Sequence, residues 1–81
     1  MDTGMLWFDN DPKIALTDKV ARAAEYYKSK YGHAADTCLV NPGMMSEPSM
    51  QSGRVRVRPM RTILPGHLWI GVNENTPLGA D

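Results

Sequence analysis

The stretch from Thr17 to Gly32 carries a helical repeat, and the rest of the chain has to be arranged around it. Leu16, Val20, Ala24, Tyr27 and Tyr31 recur every three or four residues, with Ala23 beside them. That spacing draws one apolar stripe on a 3.6-residue period. Asp18, Lys19, Arg22, Glu25, Ser29 and Lys30 fall largely on the other side and are expected in solvent. Thr17 is the expected N-cap, its hydroxyl accepting from a free backbone N–H, and Asp18 adds negative charge to the first turn. Lys28 and Lys30 suit the last turn, and Gly32 can take the left-handed conformation that ends a helix.

The flanking segments read as strands. Met5-Leu6-Trp7-Phe8 is a short apolar run closed by Asp9-Asn10-Asp11-Pro12, four strong turn formers. Thr37-Cys38-Leu39-Val40 is a second run closed by Asn41-Pro42-Gly43. Strand, helix and strand in that order predict a right-handed βαβ crossover with two parallel strands. Residues 41–53 have no period and many breakers, so a mobile loop is expected there; it holds three of the six methionines, including Met44 and Met45. From Arg54 to Arg58 the chain alternates, with Val55 and Val57 on one side and three arginines on the other, as a strand with one buried face does. Pro59 marks an edge or a bulge. Thr62-Ile63-Leu64 and His67–Val72 then suggest an antiparallel hairpin with a loop around Gly66, and 73–81 a frayed tail. The expected fold is a single α+β domain over 1–81, of order β-α-β-β-β, its mixed sheet covered on one face by the helix.

Eighty-one residues suffice for one domain, and a chain of this size buries only about 60–65% of its unfolded surface. Many domains so small add disulfides, a metal or a second subunit. The single cysteine forbids an internal disulfide and suits a reducing cytosol. No apolar run is long enough to span a membrane, and Met1-Asp2-Thr3-Gly4 is acidic where a signal peptide is basic. The chain therefore reads as cytoplasmic, without a membrane partner. Nine basic and nine acidic residues cancel, yet residues 53–72 carry four arginines and no acid. A neutral total argues against general polyanion binding but leaves a local anion site open.

One helix covers one sheet face, but the strands are apolar on both. Leu6 and Phe8 point opposite to Met5 and Trp7, Leu39 opposite to Cys38 and Val40, and Trp69 opposite to Leu68 and Ile70. The uncovered face is expected to hold a set such as Trp7, Leu39 and Trp69, a patch unusual on a soluble monomer. This predicts a small protein-interaction module, self-associating through that face. Trp7 and Trp69 are the expected anchors, Arg54, Arg56 and Arg58 the polar complement, and Met44 and Met45 adaptable contacts from the loop. The alternative is binding of single-stranded nucleic acid, with bases on the tryptophans and phosphates on the arginine strand. Equally, the arginines can be the solvated side of an edge strand.

Catalytic patterns are sparse. Leu6-Trp7-Phe8-Asp9-Asn10-Asp11 resembles the nucleophile strand of haloacid-dehalogenase-type phosphatases over six residues. The resemblance implies a third reading, a small Mg²⁺-dependent hydrolase using Asp9 and Asp11. Turn chemistry accounts for the same residues without it. Cys38, His33 and His67 lack paired metal-ligand spacing, and a mid-strand cysteine is usually a small buried hydrophobe. No cofactor is implied.

Overall fold

A computed structural model describes residues 3–72 of the chain, so the tail expected over 73–81 lies outside the described residues. The elements are β1 (Thr3–Phe8), α1 (Leu16–Tyr31), β2 (Thr37–Val40), a short 3-10 turn (Pro42–Met44), β3 (Met50–Ser52), β4 (Val55–Pro59) and β5 (His67–Val72). They form a small α+β domain with one α-helix and a five-stranded mixed sheet of order β1-β5-β2-β4-β3.

β5 is antiparallel to both β1 and β2, so β1 and β2 run the same way, as a crossover requires. They are not neighbours, however, because β5 is inserted between them. Among the described residues the only parallel ladder joins β2 to β4, with Cys38 opposite Val57. The hairpin expected from 62–72 does not form. Residues 60–66 are turns, and the Asn41 side-chain amide donates to the Ile63 carbonyl at 2.9 Å. That bond helps hold the connection that carries the chain past the end of β2.

The expected loop over 41–53 contains structure of its own. Met50–Ser52 pairs antiparallel with β4 through a two-residue turn, Gly53-Arg54, where Gly53 has φ +60°. Glycine at the first central position is what such a hairpin turn needs. Pro59 is accommodated by alternation. Arg56 N–H donates to Asp36 and Met60 N–H to Val40, so the odd-numbered residues of β4 face the opposite side. β3 pairs no further along β4 than Val57, and the missing N–H of Pro59 therefore faces an open edge.

The core is the layer between helix and sheet. Val20, Ala23 and Tyr27 of α1 pack on Cys38, Val40, Val55, Val57, Leu68 and Ile70, all buried. Tyr31 is an exposed continuation of the stripe, its ring 4.6 Å from that of Tyr27. Two expectations for the helix change. Its N-cap is Ala15, with no side-chain cap, rather than Thr17. Lys19 is buried rather than solvated, because position 19 is one turn from Leu16 and Ala23 and its aliphatic stem joins their stripe. Gly32 ends the helix at φ +82°, its N–H donating to the Lys28 carbonyl.

Candidate interaction face

Strand register decides which side chains share the uncovered face. Cys38 and Val40 are buried towards α1, and they pair with Ile70 and Leu68; those in turn pair with Met5 and Trp7. Every second residue therefore points to the other side. That set is Gly4, Leu6 and Phe8 of β1, His67, Trp69 and Gly71 of β5, Thr37 and Leu39 of β2, and Arg56 and Arg58 of β4.

The apolar half of this face is open to solvent. Leu6 is 60% exposed and Phe8 58%, while Trp69 and Leu39 are half-buried. Leu6, Trp69 and Leu39 stand directly opposite one another across three strands, and Arg58 follows Leu39 on the fourth. The Trp69 indole leans diagonally over Gly4, where an added Cβ would lie 2.5 Å from Cε2 and 2.9 Å from the Ile70 carbonyl oxygen. Phe8 is held at the rim, its ring 4.8 Å from that of His67 and against Gly66, which has φ +85°. The surface therefore grades from an aromatic and aliphatic side on β1 and β5 to a guanidinium side on β4.

Several expected site residues lie elsewhere. Trp7 is on the helix side, its ring 5.2 Å from that of Tyr26, which is half exposed and screens it. Its Nε1 is buried without a hydrogen-bond partner among the described residues. Register explains the misplacement, since Trp7 pairs with Leu68 and not with Trp69. Arg54 is in the turn before β4 rather than in the arginine row. It lines a cavity of about 370 Å³ against the helix, together with Glu25, Lys28, Ala34 and Ala35. Met44 and Met45 are half-buried and pack on the core, with Met44 Sδ accepting from the Gly66 N–H at 3.3 Å. They pack against the domain core and keep part of their surface exposed. Sequence reasoning missed Leu6 and Phe8 as members of the face. Gly4 and Gly71 share their strand parity and mark a close approach on that side.

The remaining polar candidates have structural roles. Asp9 Oδ1 accepts from the Asp11 N–H at 3.1 Å, and Asp11 Oδ1 from the Lys13 N–H at 2.9 Å. These are successive Asx turns, as the Asp-Asn-Asp-Pro sequence favours. No cluster of three or more metal-ligating side chains occurs among the described residues. Cys38 is buried, and burial pushes its thiol up to about 12, far from the range of a reactive thiolate. His33 packs edge-on against Tyr27, and His67 is the ring partner of Phe8.

Compared with protein-family models, with curated proteins and with solved structures, the chain has no match. No described helix is long and apolar enough to cross a membrane.

Proposed function

We propose that the chain is a cytoplasmic protein-interaction module that self-associates through its uncovered sheet face. One observation carries this reading. Leu6 and Phe8 remain 60% and 58% exposed beside Trp69 and Leu39, on a face that no described element covers. Two such faces packed about 10 Å apart would bury the four residues against their counterparts. Trp69 is the natural anchor, because an aromatic held in place by its own sheet loses little freedom on binding. Arg56 and Arg58 then form a polar rim at one side.

Association moves Trp69 out of water, which its fluorescence reports. In a Trp7→Phe background, dilution from micromolar to nanomolar concentration should shift the emission to longer wavelength. An emission maximum independent of concentration, in a protein that sedimentation shows to associate, would remove Trp69 from the interface.

A second reading draws on one specific arrangement. Trp69 rests over Gly4 with guanidinium groups two strands away, and an aromatic platform beside cations suits a single-stranded nucleic acid. Without Arg54 the cationic side is reduced to Arg56 and Arg58, which favours the protein interface.

A further inference from the structure

The two edges of the sheet are built in opposite ways. On one side the edge is protected by three devices: β3 has only three residues, Arg58 follows beyond it, and Pro59 ends β4. These are the usual defences against pairing with another strand. On the other side β1 is six residues long, reads Thr-Gly-Met-Leu-Trp-Phe, and contains neither a charge nor a proline. Among the described residues no strand pairs with its outer edge.

Alternation shows which groups that edge offers. The Asp9 N–H donates to the Gly66 carbonyl, continuing the register in which Trp7 faces Leu68 and Met5 faces Ile70. In an antiparallel ladder, pairs that exchange both hydrogen bonds alternate with pairs that exchange none. Residues 5 and 7 therefore bond to β5, whereas the backbone N–H and C=O of Gly4, Leu6 and Phe8 point to the open edge.

We infer that β1 pairs antiparallel with β1 of a second copy, joining two sheets into one. A strand of this kind is its own complement. A two-fold axis at Leu6 sets Leu6 opposite Leu6 and Gly4 opposite Phe8 on the uncovered face, with Met5 opposite Trp7 on the helix face. The outward groups of each strand then meet those of the other, and no charge is brought against its like. Pairing through the β3–β4 edge instead brings arginine side chains towards one another, which opposes it. This contact lies beside the face packing proposed above and does not depend on it. If both form, the assembly closes as a tetramer where the two two-fold axes meet at right angles and otherwise grows beyond it.

Amide hydrogen exchange followed by NMR, together with mass from sedimentation equilibrium, tests the pairing on the full chain. The expected result is that the Leu6 and Phe8 amides are protected at high concentration and lose protection on dilution, while Met5 and Trp7 stay protected. Leu6→Pro, which removes an outward N–H and keeps an apolar side chain, should halve the mass. Fast exchange of the Leu6 and Phe8 amides in an associated protein overturns edge pairing and leaves the face contact standing. Their protection in a Trp69→Ala variant of unaltered mass supports the edge and rejects the face. A single-chain mass at the highest concentration, or protection that dilution does not change, overturns the edge pairing in either case.

Discussion

Trp69 lies across Gly4, on the neighbouring strand and two pairs along the ladder from its own partner Leu6, so that the backbone of β1 forms the floor beneath its indole. The position tolerates no side chain. Gly4→Ala would force the ring off the sheet, at a cost of about 1–3 kcal/mol as in other overpacked sites. Chemical denaturation should register that loss, and Trp69 emission in a Trp7→Phe background should change in the same variant. A Gly4→Ala protein with native stability and emission would mean that the indole is not held there.

The two sheet faces should respond oppositely to truncation. Ile70 is fully buried, and Ile70→Ala should lose about 2–5 kcal/mol in urea denaturation. Leu6 is 60% exposed, and Leu6→Ser should alter the stability of the single chain by no more than about 0.5 kcal/mol, as at other surface sites. Its effect should appear in association instead.

Helix α1 begins without a side-chain cap, at Ala15 with φ −65° and ψ 151°. That backbone is already in the extended conformation a capping residue adopts. Ala15→Asp should therefore stabilise the domain, by about 0.5–2 kcal/mol, through a bond to a free N–H and through the helix dipole. A thermal melt measures it, and an unchanged midpoint would show that the first turn is satisfied in another way.

Cys38 links stability to alkaline pH. Burial raises its thiol from the ordinary 9.0 to about 12, so the native chain keeps its proton where the unfolded chain has lost it. The contribution is complete below pH 9 and falls as pH rises towards the folded value. The slope is about 1.4 kcal/mol per pH unit in that window. Cys38→Ala should flatten this part of the profile. A thiol reagent at neutral pH should label Cys38 only at the rate of unfolding; rapid labelling of the native protein would contradict its burial.

Arg54 and Arg58 should differ if the sheet face holds nucleic acid. Arg58 shares the face with Trp69, whereas Arg54 lines the cavity against α1. Arg58→Ala should weaken oligonucleotide binding and flatten its salt dependence by about one counterion, with Arg54→Ala nearly silent. Equal effects would indicate binding by net charge alone.

Local signals carried much of this fold. The helix, its glycine stop and the alternation of Val55 and Val57 could be read because period and capping are local properties. Register could not. Whether Trp7 or Leu6 joins Trp69 depends on β5 inserting next to β1, a contact more than sixty positions distant in sequence, and the parity of one ladder moves every side chain on it to the other face. Arg54 falls outside the arginine row for a related reason, as the Gly53-Arg54 turn makes β4 begin at Val55, one residue later than valine–arginine alternation suggests. The Gly53-Arg54 turn was not legible, because Met50–Ser52 is too short to show a period and so gave no second strand for a hairpin. Lys19 illustrates a different limit, since a charged residue with a long stem can sit on an apolar stripe.

The most direct test of the proposed function is sedimentation equilibrium of the wild-type chain and of Trp69→Ala at equal micromolar concentration. The uncovered face predicts more than one chain for the wild type and a smaller assembly for the variant, with the variant's circular dichroism unchanged. Equal masses for the two proteins would contradict it, and would leave Trp69 as a residue that packs on its own sheet and nothing more.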